Sequence, residues 1–236
     1  MRSGCRTTMT EIRTIRALAS EINKAFPSFS RIGGMLLLGS VDYLLRAIDL
    51  DSSGFSKTSF YPTVFVQPLY EPKDYFFFTF GARLQAPRGG TWDLAESSPR
   101  VVLENLKDAI SGQAIPFLKR LVSPLDLALA CEESRAAEFH WPLDDINVLE
   151  SAAYSWLIAG NATKCLEKLE SAHQAIAATE DDREWVRVLD RRLQQFTKWL
   201  NSGKEQEALE QLHQWRSESV RALKLQKFTY GASVVK

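Results

Sequence analysis

The chain has no net charge: its 236 residues hold 29 Lys plus Arg against 29 Asp plus Glu. Without a bulk field to gather polyanions, neither nucleic acid nor an anionic membrane is expected as a partner. Cysteine is scarce. Cys5, Cys131 and Cys165 are far apart with no CxxC pair, which argues against a disulfide framework and a thiolate metal site and for a reducing compartment. Apolar runs fall short of the ~20 residues a membrane span needs. Met1–Thr10 carries Arg2 and Arg6 with no apolar stretch behind them, so the chain reads as unexported and cytoplasmic, with residues 1–10 a disordered start. Histidine is nearly missing too. His140, His173 and His213 make no pair at helical spacing with a glutamate, so no zinc hydrolase is signalled. Gly33-Gly34 and Gly89-Gly90 lack the Lys-Ser/Thr of a phosphate loop and the dinucleotide fingerprint, and read as turns. No cofactor and no metal are expected. Cys131-Glu132-Glu133 has no neighbouring histidine to activate it, which leaves a buried or half-buried helical thiol.

What is present is enough for a conventional core, at 45% hydrophobic and 11% aromatic residues. Ile12, Ile15, Leu18, Ala19 and Ile22 recur at spacings of three and four, predicting an amphipathic helix over 11–26 that Pro27 ends. Four β-rich stretches follow, at 31–39, 41–51, 61–70 and 74–85, with connections short enough for an antiparallel meander. Beyond Gly89-Gly90 the signal turns helical. Ser98-Pro99 and Ser123-Pro124-Leu125-Asp126 are N-caps with proline at the first helical position, and Asp126 can reciprocate the second cap. Further starts are expected near Leu143, with Asp144 and Asp145 in the first turn, and at Thr179 with Asp182. The expected fold is α+β: an N-terminal helix and a four-stranded antiparallel sheet over 11–96, then about six helices over 97–236.

The helical half repeats itself. A shift of 43 residues aligns Trp156, Leu157, Gly160, Leu166, Glu167 and Leu169 with Trp199, Leu200, Gly203, Leu209, Glu210 and Leu212. Each copy predicts a helix ending in Trp-Leu, a glycine turn, and a partner helix with leucines on one face. The string Ala153–Asn161 resembles the first-helix ending of tetratricopeptide-like hairpins, which implies either a packing layer or a peptide-binding scaffold.

Candidate binding residues come from the β-rich stretches. Alternation along 74–85 predicts Phe76, Phe78, Phe80, Ala82 and Leu84 on a core face and Tyr75, Phe77, Thr79, Gly81 and Arg83 on the other. Phe65 and Gln67 belong to the corresponding mixed set of the preceding strand. Aromatic and arginine side chains dominate binding hot spots because they bury much area at little entropic cost. Phe65, Gln67, Tyr75, Phe77 and Arg83 are therefore expected in one patch, with Arg46 and Asp49 added as charged members.

The same residues carry a resemblance. Phe29-Ser30-Arg31, the strand Leu-x-Arg-x-Ile-x-Leu-x-Ser at 44–52, an aromatic loop, and Phe-Gly-x-Arg-Leu at 80–84 resemble small α+β bacterial proteins that accompany secreted toxins as immunity proteins. The likeness spans Ile12 to Leu84 and brings no catalytic residues. It implies a non-catalytic protein that neutralises a partner toxin by occlusion. Two rival expectations stand beside it: an enzyme or small-ligand binder with Arg46, Asp49 and Arg83 in a cleft, and a helical-repeat scaffold that binds a peptide.

Overall fold

The computed structural model describes residues 12–53, 56–87, 89, 91–95, 98–133, 145–179 and 183–229. The expected disordered start, Cys5, His140 and Asp182 lie outside them.

The fold is α+β. Helix α1 (Ile12–Ala25) buries Ile15, Leu18, Ala19 and Ile22 on the predicted face. The sheet has six strands where the sequence predicts four: β1 (Phe29–Ile32), β2 (Met35–Leu38), β3 (Leu44–Ser52), β4 (Ser59–Pro68), β5 (Phe80–Arg83) and β6 (Trp92–Asp93). Strands β1 to β5 lie in chain order and β6 pairs with β4. Strands β1 and β2, β2 and β3, and β4 and β6 pair antiparallel. The first difference from expectation has a local cause. Gly33 takes a φ of 60° and folds 29–38 into a hairpin in which Ile32 faces Met35, so one predicted strand becomes two. The second is a loss: of 74–85 only Phe80–Arg83 pairs, because residues 74–79 leave the ladder. The third is a gain, β6, too short to leave a pattern of its own. Trp92 fixes it by donating its indole N–H to the Leu84 carbonyl at 2.8 Å and packing 6.0 Å from the Phe60 ring.

Helix α2 (Pro99–Ala109) starts on the predicted cap, where the Val101 N–H donates to Ser98 Oγ. A π-helical turn at Ile110–Ala114 links it to α3 (Ile115–Arg120). That turn carries Gln113, whose carboxamide meets both backbone groups of Gln85: the Gln85 N–H donates to Oε1 at 3.0 Å and Nε2 donates to the Gln85 carbonyl at 3.5 Å. A side-chain amide thus stands where another strand's peptide would pair. Helix α4 (Pro124–Glu133) opens on the predicted capping box, with Ser123 N–H donating to Asp126 Oδ2 at 2.8 Å and Asp126 N–H to Ser123 Oγ at 3.2 Å.

Helices α5 (Ile146–Ile158), α6 (Ala162–Ala178), α7 (Glu184–Asn201) and α8 (Glu205–Ala222) follow. Asp145 is the N-cap of α5 and not a first-turn residue, accepting from the Asn147 N–H at 2.8 Å. Thr179 ends α6 as its C-cap instead of starting a helix. The 43-residue repeat is structural. Asn161 N–H donates to the Trp156 carbonyl and Gly160 N–H to Leu157; Lys204 N–H donates to Trp199 and Gly203 N–H to Leu200. Both ends are six-to-one, five-to-two closures around a glycine at φ 80° and 69°. Burial repeats with the same shift: Cys165 and Leu169 match Ala208 and Leu212, all fully buried.

Helix α8 closes the same way, with Leu225 N–H on the Val220 carbonyl and Lys224 N–H on Arg221, but here the left-handed residue is Lys224 at φ 59°. A side chain in that conformation costs energy that glycine avoids. Lys224→Gly is expected to stabilise the protein by about 0.5–1 kcal/mol in denaturant unfolding.

The chain clusters into two compact units. One comprises Met1–Ser40, Arg46–Val66 and Gly81–Arg120; the other comprises Val41–Leu45, Gln67–Phe80 and Leu121–Lys236. Among the described residues no helix is long and apolar enough to cross a membrane.

Candidate functional site

The seven residues singled out from sequence separate. Arg46, Asp49, Phe65 and Arg83 belong to the first unit, and Gln67, Tyr75 and Phe77 to the second.

In the first unit Phe65 is fully buried, so it is core and cannot meet a partner. Arg46 is half-buried and its Nη1 donates to the Leu118 carbonyl at 3.4 Å. Arg83 is exposed, its guanidinium 4.4 Å from the centre of the Tyr61 ring. Asp49 lines a hollow of about 180 Å³ with Arg16, Asp51 and Ser52. Burial, then the Asp51 charge, push its carboxyl up to about 6.

In the second unit the other three residues come together with partners the sequence reading passed over. Gln67 stands one residue before Pro68, at the end of β4, where a pre-proline residue is held extended. Its side chain is buried, at 1% exposure. Nε2 donates to the Tyr75 carbonyl at 3.1 Å and Oε1 accepts the Phe77 N–H at 3.3 Å. Residues 71–79 leave Tyr70, turn, and run past this amide without pairing as a strand. The aromatic alternation therefore breaks: Phe78, expected in the core, is 42% exposed, and Tyr75 is 59% exposed. Phe77 is half-buried with the Lys73 ammonium 4.1 Å from its ring centre.

The other end of the loop is anchored by charge. Glu71 is buried; its carboxylate accepts from Ser151 Oγ and faces Lys73 Nζ at 3.0 Å, while its carbonyl accepts from Ser219 Oγ at 2.8 Å. Burial disfavours the Lys73 ammonium, but the Glu71 and Glu150 carboxylates outweigh it and raise its pKa. Next to Glu71, the Tyr70 hydroxyl meets Ser155 Oγ at 2.5 Å, and Ser155 Oγ donates to the Ser151 carbonyl at 2.6 Å. Behind these lies Glu150 on α5, fully buried, with both Nε and Nη2 of Arg192 on Oε1 at 3.1 and 2.7 Å. Burial raises the Glu150 pKa; Arg192 opposes that and Glu71 adds to it. A lone glutamate in the apolar run Val148–Leu157 was the available signal for this buried ion, as was glutamine amid Val64–Tyr70 for the clamp.

The remaining candidates for chemistry have structural partners. His173 bridges α6 to α7, with Nδ1 3.2 Å from Asp190 and Nε2 3.2 Å from Thr197. His213 Nδ1 lies 3.2 Å from the Tyr43 hydroxyl. Cys131 and Cys165 are buried and their thiols are pushed up to about 12, chiefly by burial, so neither is a thiolate near neutral pH. Asn161 is the N-cap of α6, its Oδ1 accepting from Lys164 N–H at 3.0 Å. A cavity of about 760 Å³ opens between α4, α5 and α6, floored by Cys131, Val148 and Ala152 and walled by Lys164 and Lys168. Both lysines meet Glu132, at 3.1 and 3.5 Å. Among the described residues no group of His, Cys, Asp and Glu converges as metal ligands. Comparison of the chain with protein-family models, with curated proteins and with solved structures finds no match.

Proposed function

We propose that this chain is a non-catalytic binding protein that occludes a protein partner, in the manner of a bacterial immunity or antitoxin-type protein, and that loop 71–79 is its contact surface. The observation that carries the reading is a pair of exposed aromatic rings, Tyr75 and Phe78, on a loop anchored at Glu71 and clamped by Gln67. An ordinary exposed loop of this composition would collapse or fluctuate. One held in shape loses little entropy on binding, and Tyr and Phe offer large apolar area at low rotamer cost. On this reading the protein works in the bacterial cytoplasm, where it shields the cell from the product of an adjoining gene.

The test is direct. Tyr75→Ala and Phe78→Ala are each expected to weaken binding to the adjoining gene's product by about 2 kcal/mol or more, with the melting temperature nearly unchanged. Wild-type affinity in both variants overturns the assignment of the loop.

The cavity between α4, α5 and α6 supports a second reading, a peptide or small-ligand site, since its volume of about 760 Å³ suits such ligands. Ala175→Trp, placed on its α6 wall, distinguishes the two. It leaves partner binding intact if the loop is the surface and abolishes binding if the cavity is.

A further inference from the structure

We propose that Gln67 is a positioning residue: without touching the partner, its buried carboxamide sets the shape in which loop 71–79 binds. The inference rests on the loop being the contact surface.

A primary carboxamide offers a carbonyl acceptor beside an N–H donor, the same pair a peptide group presents. Gln67 turns that pair on the loop, accepting from Phe77 N–H and donating to the Tyr75 carbonyl. The two contacts bracket Phe76, and the exposed aromatics stand at the two ends of the clamped stretch, Tyr75 at its start and Phe78 just after it. Each is made to a backbone group that a strand partner would take if the segment paired in the sheet. Buried as it is, the amide has no competing water, so losing it leaves two backbone groups without their partner and frees the loop to take other shapes. At the far end Lys73 reaches from Glu71 to the Phe77 ring, so the Phe77 backbone and ring are fixed by different anchors. The Gln67 contacts hold the backbone on both sides of Phe76.

The chemistry supplies its own control. In Gln67→Glu the side chain still accepts from Phe77, but an ionised carboxylate cannot donate to the Tyr75 carbonyl. Protonation restores that donor, and burial raises the pH at which it occurs. A clamp of this kind makes the glutamate variant pH-dependent in a way the leucine variant is not.

The experiment uses the full chain and, as probe, the product of the adjoining gene with its own activity disabled. Amide hydrogen exchange at Phe77 is measured first, without the probe. Gln67→Leu is expected to exchange there at least tenfold faster than wild type, with the helices α5 to α8 unchanged. Probe affinity is expected to fall at least tenfold in Gln67→Leu. In Gln67→Glu it is expected to fall as far at pH 8 and to recover towards wild type, compared at the same pH, as the pH is lowered to 5. Unchanged Phe77 exchange in Gln67→Leu overturns the clamp. Faster exchange with affinity within twofold of wild type overturns the positioning role while leaving the loop as the contact surface. Wild-type affinity in Tyr75→Ala and Phe78→Ala overturns the contact surface itself, whatever Phe77 exchange reports. Should Gln67→Leu fail to fold, Gln67→Glu, close in shape and volume, decides the matter through its pH profile.

Discussion

Arg192→Ala is expected to cost about 3–5 kcal/mol of stability, because it strands a carboxylate that has no exposure to water. The guanidinium places two donors on Glu150 Oε1, while Oε2 accepts no hydrogen bond from the described residues. Removing the cation therefore takes away the charge compensation and both donors together. The loss belongs to the broken pair and not to an intrinsic merit of having one. Replacing both members with apolar residues of similar size, Glu150→Leu with Arg192→Met, is expected to recover most of it. The pH dependence follows from the direction of the shift. Burial raises the Glu150 pKa in the folded state, so the fold favours the protonated acid. The stability this group contributes is present at acid pH and is lost as the pH rises through the folded-state value. With Arg192 gone that value rises further, so the deficit of Arg192→Ala should grow between pH 5 and pH 8 and shrink on acidification. Denaturant melts of the variant and the wild type across that range measure it, and a deficit independent of pH would show that lost packing, not charge, is responsible.

The arrangement around Glu150 shows why some of this protein is legible in sequence and some is not. Helix periodicity and capping chemistry are local, and much of them is readable: α1 buries four of the five predicted residues, with Ile12 59% exposed in its first turn, and Ser98 and the Ser123–Asp126 pair cap as expected, whereas Thr179, read as a helix start, ends α6. The repeat was readable because glycine is favoured where a helix closes through a left-handed residue, and Gly160 and Gly203 recur with the same tryptophan three positions before the cap. Sheet membership was not. Residues 74–79 have the alternation and the aromatics of a strand, yet the buried amide of Gln67 takes the place of a pairing backbone, and no pattern in the segment itself can reveal that. Gln113 does the same for Gln85 from a π-helical turn far along the chain. Alternation also misjudged the faces. Phe65 falls with Gln67 in the mixed set from which the binding patch is drawn, but both are buried, and the hydrogen bonds of Gln67 are met by the loop. Both errors have one origin: a buried polar side chain that finds its partners looks, in sequence, like a solvated one.

The tryptophans of the repeat give the sharpest test of how far its two copies are equivalent in energy as well as in geometry. The carbonyl of each accepts the same closing contact, from Asn161 N–H at 2.9 Å and from Lys204 N–H at 2.9 Å. Their side chains meet different surroundings. Trp156 is 6% exposed, with the Lys164 ammonium 5.2 Å from its ring centre and its indole N–H buried without a partner. Trp199 is half-buried and stands edge-on to Phe196, at 5.3 Å, on the rim of a cluster that also holds Tyr154 and Trp215. Trp156→Ala removes a fully packed ring and leaves a cavity, so it is expected to cost about 3–5 kcal/mol. Trp199→Ala removes a ring already open to water on one side, and about half of that is expected. Phenylalanine separates the two further. At 156 it retains most of the packed surface and eliminates an unpaired buried donor, so Trp156→Phe should recover more than half of the alanine loss. Urea unfolding of the four proteins settles the ranking. Equal costs at 156 and 199 would mean that the helix-end contact shared by the two hairpins, and not the burial of each ring, governs what these tryptophans contribute.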